Sequence, residues 1–324
     1  MTRKSCPYCY CTNVHKHGTQ RGRMRYRCKD CRKTWSNLPR PGRRLATLWH
    51  EYTWEGATVM VLARRYRRSL YAIRCLLGAY QPPQLRHMAR AVTVIMDVTY
   101  FGAWGILVAL DPNAQPKQQE NTVLYWVEVQ GTERTLDYEV ATDTLESLGY
   151  HVQAAVIDGR RGVRQMLEHK GIPVQYCHFH QLQTITQCLT KRPKLIQNKA
   201  LRTIALTLTH TTKEAFVLAL DDWHDTYGEW LKERYCDPTT GRTRYQHDRT
   251  RRAYFSLRRN LDYLFTYQDE QLTGNPVNGY AIPNTTNALD GRFGVWKDKL
   301  KDHRGCSKQL KITMLRSFFS GRTD

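Results

Sequence analysis

The sequence predicts a multidomain α/β protein, because three different patterns follow one another along its 324 residues. Two Cys-x-x-Cys pairs stand near the N-terminus, and apolar residues at helical spacing follow them. From residue 91 onward, β-branched runs alternate with helical segments, which is typical of a sheet covered by helices. Hydrophobic residues make up 41% and charged residues 24% of the chain, so general disorder is not expected.

The positive charge is concentrated in the first quarter of the chain. Lys and Arg number 50 against 29 Asp and Glu, a net charge of +21. Residues 1–90 hold 20 of the basic residues but only 3 acidic ones. Ordinary surfaces mix both signs, so this imbalance favours nucleic acid as the partner over a solubilising charged face or a metabolic enzyme. Long apolar runs and an apolar leader are lacking, so we expect a cytoplasmic protein without a membrane partner.

Residues 1–40 carry two Cys-x-x-Cys turns whose four thiolates could close around one ion. The four residues are Cys6, Cys9, Cys28 and Cys31. This spacing favours one structural Zn²⁺ in a domain that resembles a zinc ribbon, and so short a domain is expected to fold only with its metal. A redox role for the pairs is a weaker alternative. The spacing does not exclude three neighbouring residues as alternative zinc ligands, namely Cys11, His15 and His17.

Pro39-Arg-Pro-Gly42 is predicted to be a linker by composition. Residues 41–82 form the next predicted domain, which shows helical spacing and ends at Pro82-Pro83. Ser69 is placed to cap a third helix, directly after a basic cluster. The segment resembles a helix-turn-helix DNA-binding domain, whose last helix enters the major groove. The candidate contacts are Tyr71 and Arg74 for bases, and Arg64, Arg65, Arg67 and Arg68 for phosphates. A plain helical linker with a solvated basic face is the alternative.

Residues 91–180 are predicted to form five strands and two helices. The predicted strands cover 91–101, 104–110, 122–129, 152–159 and 172–180, with helices at 135–148 and around Met166. Residues 181 to about 275 are predicted to be mostly helical, and a last helix covers 287–300. In the helical segment, four aromatic residues either stack on unpaired bases or pack in the core. They are Trp223, Tyr227, Trp230 and Tyr235.

Two of the predicted strands each carry an aspartate. Asp97 lies inside the first strand, and Asp158 ends the fourth. A buried carboxylate is unfavourable unless it is paired or binds a cation, so two of them suggest a shared hard cation such as Mg²⁺. The structural alternatives are a hydrogen-bonded carboxylate for Asp97 and an ordinary Asp-Gly turn for Asp158.

Four motifs together resemble the Mutator-like DDE transposases of bacterial insertion sequences. They are Ile-Met-Asp97-Val-Thr-Tyr, Val-Ile-Asp158-Gly, Cys177-His-Phe-His180, and Asn284-Thr-Thr-Asn-Ala-Leu-Asp290-Gly-Arg-Phe with His303-Arg-Gly305 downstream. The resemblance covers almost the whole chain. It implies an RNase H-like mixed-sheet core in residues 91–180, an all-α insertion at 181–280, and a final helix and tail at 281–324.

The resemblance also implies which residues do the chemistry. Asp97, Asp158 and Asp290 would be the catalytic carboxylates that hold two Mg²⁺ ions, with Mn²⁺ as a substitute. The family usually carries Glu where this chain has Asp290, and the other late acids lack the motif. Cys177 and His180 would lie beside the active site. Their residue types also leave open zinc ligation, a Cys-His catalytic pair, or plain packing at a strand end.

The implied function is a DNA transposase. It would bind the terminal inverted repeats of its element through the N-terminal domains, cleave a strand, and transfer it to target DNA as a homodimer on the bacterial nucleoid. Two alternatives remain open at this point. One is a catalytically weak or inactive, transposase-derived DNA-binding regulator, and the other is an RNase H-like DNA nuclease without strand transfer.

Overall fold

The computed structural model describes residues 6, 9, 11–20, 23–36, 41–115, 122–239, 241–269 and 281–320. Pro39 and Arg40 of the predicted linker lie outside these residues. Pro41 and Gly42 begin a helix instead, because proline is tolerated in the first turn of a helix, where its missing N–H is not needed. The chain divides into two compact units. Met1–Gln81 and Lys301–Thr313 form the first, and Pro82–Leu300 and Met314–Asp324 form the second.

The first unit combines a small antiparallel sheet with helices. The strands are β1 (Val14–Gln20), β2 (Arg23–Cys28) and β3 (Thr34–Ser36), paired in that order. The helices are α1 (Pro41–Thr53), α2 (Val59–Tyr66) and α3 (Leu70–Gly78). As predicted, Ser69 caps α3, because its hydroxyl accepts a hydrogen bond from the Ala72 N–H at 3.1 Å.

Residues from the C-terminal region also belong to the first unit. The His303 ring stacks on Tyr52 with 3.9 Å between centroids, and its Nε2 lies 2.8 Å from the Tyr52 carbonyl oxygen. The sequence reasoning instead placed all of residues 281–324 with the sheet domain. Local patterns do not show which distant helix a segment packs against, so this division becomes visible only in three dimensions.

The second unit is built on a mixed five-stranded sheet, which confirms the predicted α/β class. Its strands are β4 (Arg90–Tyr100), β5 (Trp104–Leu110), β6 (Val123–Gln130), β7 (Tyr150–Ile157) and β8 (Val174–Tyr176). The order is β6-β5-β4-β7-β8, with β5 antiparallel to both neighbours and β4, β7 and β8 parallel. Every residue of β5 is buried, in keeping with its continuous apolar sequence.

Helices cover this sheet and extend beyond it. They are α4 (Thr135–Ser147), α5 (Arg161–His169), α6 (His178–Leu189), α7 (Ile196–Thr207), α8 (Lys213–Tyr227) and α9 (Asp248–Leu264). Two further helices are divided between the units: α10 (Asn287–Lys301) belongs to the second unit up to Leu300, and α11 (Lys308–Phe319) belongs to it from Met314 onward. Met96, Leu107, Tyr138 and Leu167 bring the sheet, α4 and α5 into one hydrophobic core. Among the described residues, none of the helices has the length and apolar character needed to cross a bilayer.

Two predictions about this unit are wrong in detail. The segment at 181–280 is not all helical, because β9 (Arg234–Cys236) and β10 (Thr243–Tyr245) form a hairpin within it. Asp237 closes the turn by accepting a backbone hydrogen bond from Gly241 at 2.8 Å, and Gly241 has a φ of +65°. The fifth strand ends at Tyr176, so His178–His180 form the first turn of α6 rather than a strand.

Candidate functional site

The N-terminal cysteines form a compact group that is compatible with a structural zinc ion. The Sγ atoms of Cys6, Cys9, Cys28 and Cys31 all lie within 4.8 Å of one another. The Cys6–Cys31 and Cys9–Cys28 sulfur atoms are each 3.6 Å apart. Zn–S bonds of about 2.3 Å in a tetrahedron place sulfur atoms about 3.8 Å apart, so the spacing fits one Zn²⁺.

Of the rival ligands, only Cys11 approaches this group. Its sulfur lies 3.1 Å from that of Cys28, and both belong to a second potential group with Asp30. His15 and His17 belong to neither group among the described residues. Burial opposes ionisation of Cys28, but the Cys31 N–H and the neighbouring thiols lower its pKa to about 6. Cys28 is therefore ready to bind metal as a thiolate near neutral pH.

The predicted DNA-contact residues lie on and before α3. Tyr71 is 76% exposed, and Arg74 is exposed one turn later on the same helix face. Arg64, Arg67 and Arg68 are exposed and form no salt bridge within the described part of the chain. Arg65 differs from them, because its guanidinium contacts Glu51 Oε2 at 2.7 Å and is partly neutralised.

In the second unit, the strand register brings the first two aspartates together. Ile95 of β4 pairs with Val156 of the parallel strand β7. Asp97 stands two residues after Ile95, and Asp158 stands two residues after Val156. Side chains two residues apart in a strand point to the same face, so both aspartates lie on one side of the sheet. Neighbouring strands lie about 4.8 Å apart, so the two carboxylates share one edge of the sheet.

The electrostatics of Asp97 show that the third aspartate is near as well. Burial, together with the charges of Asp158 and Asp290, raises the pKa of Asp97 to about 7, while a hydrogen bond from the Val98 N–H acts in the opposite direction. Asp290 lies in the first turn of α10. The three sequence-predicted carboxylates therefore influence one another, although they are separated by nearly 200 residues along the chain.

Cys177 links the start of α10 to the end of the sheet. The Cys177 N–H donates to the Ile157 carbonyl at 2.8 Å, and its sulfur accepts a hydrogen bond from the Thr286 N–H at 3.3 Å. The Thr286 hydroxyl then donates to Asp290 Oδ2 at 2.8 Å. Cys177 thus positions Asp290 through Thr286, a contact that the sequence motif did not reveal.

His180 supplies a positive charge at the same place. Its pKa is raised to about 9, chiefly by a hydrogen bond with the Cys177 thiol and also by Asp97 and Asp158, while burial acts in the opposite direction. Burial would raise the pKa of Cys177, but His180 and Thr286 lower it overall. At neutral pH His180 therefore carries a positive charge near enough to Asp97 and Asp158 to interact with them, and its half-buried side chain belongs to the first turn of α6.

Sequence reasoning missed a buried acid beside Asp158. Glu133, whose side chain is only 8% exposed, forms an ion pair with Arg160. The Arg160 Nε also donates to Asp158 Oδ2 at 3.3 Å, and the Tyr138 hydroxyl donates to Glu133 Oε2 at 2.6 Å. Burial raises the pKa of both Glu133 and Asp158 despite this guanidinium. The Asp-Gly-Arg sequence was the only local signal, since nothing around Glu133 marks it.

The three aspartates do not form a closed single-ion site. Within the described residues, their carboxylate oxygens do not all lie within 4.8 Å of one another, unlike the four cysteine sulfurs. Ligands of two ions about 3.5–4 Å apart spread over a wider region than those of one ion. Carboxylate oxygens are suitable ligands for Mg²⁺, but the oxygens of these three aspartates lie too far apart to bind one ion together.

Three of the four aromatic residues considered for base stacking have ring partners. Trp223 is buried and stacks on Tyr254, with Tyr227 beside it, and Trp230 stacks on His247 with 3.5 Å between ring centroids. Tyr235 is 44% exposed, and no described ring or cation lies over it. Core packing therefore accounts for the two tryptophans and Tyr227, but not for Tyr235.

Comparison with known proteins adds no identification. No protein-family model matches this sequence, and no curated protein matches it.

Proposed function

We propose that the chain is a DDE-type DNA transposase with an RNase H-like catalytic core. The observation that carries the proposal is the convergence of three acids from distant parts of the chain. Asp97 lies on the first strand of the sheet, Asp158 follows the fourth, and Asp290 begins a late helix. This is the placement that the family resemblance implies, and the mixed strand order is consistent with an RNase H-like sheet.

Asp97, Asp158 and Asp290 would hold the divalent cations, Mg²⁺ or its substitute Mn²⁺. When bound, such ions lower the pKa of an attacking water and neutralise charge on the leaving oxygen. Asp97 must lose its proton to become a ligand, because its pKa is about 7. Cys177 and Thr286 hold Asp290 at the helix start. The His180 imidazolium would hold a phosphate oxygen of the scissile strand.

The first unit would grip double-stranded DNA at the element's terminal repeats. Arg64, Arg67 and Arg68 would contact phosphates, and Tyr71 and Arg74 would face the bases. The cysteine group would hold a structural Zn²⁺ that stabilises the small sheet before α1. Joining both ends of an element to one target requires two protomers, so a homodimer on DNA in the cytoplasm, associated with the nucleoid, belongs to the proposal.

The test is incubation of the purified full-length protein with Mg²⁺ and labelled DNA carrying the repeats that flank its coding sequence. We expect specific binding, cleavage at the element end, and joining to target DNA. Asp97→Ala should abolish cleavage and leave binding intact, whereas Asp298→Ala, an exposed acid on the same helix as Asp290, should leave both intact. Binding without cleavage would identify a regulator, and cleavage without joining would identify a nuclease.

A further inference from the structure

The second unit contains a cavity of about 850 Å³, built by residues that the carboxylate site does not use. Its walls are the end of α6, the loop that leads into α7, the β9–β10 hairpin and the start of α9. The charged and aromatic side chains of its lining include Arg192, Lys194, Tyr235, Arg244, Asp248 and Arg249.

The cavity carries an excess of positive charge. Arg192 and Lys194 are exposed and form no salt bridge within the described residues. Arg244 has only a distant pairing with Asp237 at 3.7 Å. The one acid in the lining, Asp248, is already paired with Arg252 at 3.0 Å. An anionic ligand would therefore find at least two uncompensated cations, which is the pattern of a phosphate-binding surface.

The hairpin adds an exposed aromatic ring to this basic surface. Tyr235 of β9 pairs directly with Arg244 of β10, so both side chains project from the same face of the hairpin. On the other face, the ring of Tyr245 is held between the guanidinium groups of Arg234 and Arg251, at 4.6 and 4.0 Å. Tyr245, which also lines the cavity, is thus occupied, whereas Tyr235 is 44% exposed and none of the described rings or cations lies over it.

A ring beside uncompensated cations is the combination that binds an unpaired base and its phosphate. Aromatic side chains stack on unpaired bases of any sequence, while basic groups follow the backbone. A duplex offers its phosphates to such a surface but keeps its bases stacked inside. We propose that this cavity binds single-stranded DNA, with one base stacked on Tyr235 and phosphates held by Arg192, Lys194 and Arg244.

The choice of DNA over RNA rests on the proposed function, but the binding itself requires neither metal nor cleavage. The test therefore measures fluorescence anisotropy of the full-length protein without added divalent cations. The probes are a labelled, unstructured DNA oligonucleotide of about 15 nucleotides, the matching duplex and the matching RNA.

We expect Tyr235→Ala to weaken single-strand binding at least about fivefold, while Tyr235→Phe retains it. The double variant Arg192→Ala/Lys194→Ala should reduce the slope of log K against log salt concentration by about 0.7 for each phosphate contact that is lost. Arg259→Ala removes an exposed positive charge of α9 outside the cavity lining and serves as the matched control. Duplex binding should not change in Tyr235→Ala, and the double variant should weaken it less than it weakens single-strand binding.

Photocrosslinking of a DNA strand that carries 5-iodouracil provides a second measurement, and its product should map to the peptide containing Tyr235. Unchanged single-strand affinity in Tyr235→Ala and in the double variant would overturn the proposal. An equal loss of duplex affinity, or markedly tighter RNA binding, would overturn it too. Failure of cleavage in the element-end assay would leave these binding results unaffected, so the two proposals fail separately.

Discussion

Replacing Asp97 by Asn is expected to stabilise the protein at neutral pH when no divalent cation is added. Burial and the nearby charges of Asp158 and Asp290 raise the pKa of Asp97 from its ordinary value of 3.8 to about 7. The Val98 N–H donates to Asp97 Oδ1 at 2.7 Å, and asparagine retains an oxygen there. The substitution therefore removes an unfavourable charge while it preserves the local hydrogen bond.

The sign and size of the effect follow from proton linkage. A carboxyl group with a higher pKa in the folded chain lowers stability as pH rises between the two pKa values, because the unfolded chain loses its proton first. The rise in the pKa of Asp97 from 3.8 to about 7 corresponds to a loss of folding free energy of about 4 kcal/mol at most. The difference in the free energy of unfolding between Asp97→Asn and the parent protein should therefore grow by about 1.4 kcal/mol per pH unit up to about pH 7, and then stay constant.

The assay is urea unfolding of both proteins across this pH range, followed by tryptophan fluorescence. Asp262→Asn is the control, since that carboxylate is 82% exposed and its salt bridge with Lys213 should contribute less than about 1 kcal/mol. If Asp97→Asn is no more stable than the parent protein above pH 7, then the Asp97 charge does not destabilise the folded chain. An advantage of equal size at acidic and neutral pH would have the same implication.

Three further predictions concern other parts of the molecule. Cys9→Ser should reduce bound zinc from about one ion per chain to a substoichiometric amount by metal analysis, and full retention would contradict the four-cysteine site. Arg67→Ala should weaken duplex binding and reduce the slope of log K against log salt concentration by about 0.9. Arg65→Ala should have a smaller effect in the same titration, because Arg65 is already paired with Glu51. Arg160→Ala should lower the free energy of unfolding by about 1–3 kcal/mol at pH 7, because Glu133 is left buried without its cation. Glu133→Gln in the Arg160→Ala background should recover most of that loss in urea unfolding, and no recovery would count against the ion pair.

Local sequence patterns predicted the sheet well because they reflect local physics. The continuous apolar run of β5 and the apolar, β-branched run around Asp97 in β4 both indicate buried strands. Ser69 likewise predicts the start of α3, since a hydroxyl before a helical pattern satisfies a free backbone N–H. Such signals need only a few neighbouring residues, so one sequence was enough to find them.

The remaining features depend on contacts between distant residues. Cys177-His-Phe-His180 continues the apolar character of β8, but the Cys177 N–H bonds to Ile157 and the Asn284 carbonyl accepts from the His178 N–H, and a helix begins there. Glu133 has no local motif, and only the folded chain shows that it shares Arg160 with Asp158. The predicted carboxylates could be named from sequence, whereas the groups that hold them could not.

The three aspartates are held in three different ways, and this difference bears on how they could bind a cation. Asp158 is paired with a guanidinium, Asp290 accepts a hydroxyl hydrogen bond from Thr286, and Asp97 has a pKa near neutrality. A cation approaching them must compete with Arg160 and Thr286 and must displace a proton from Asp97. Since Asp290 is one methylene shorter than the glutamate usual in the resembled family, its bond to Thr286 limits its reach further. Cation binding at this edge should therefore strengthen as pH rises toward and past 7, with Asp97 as the group that releases the proton.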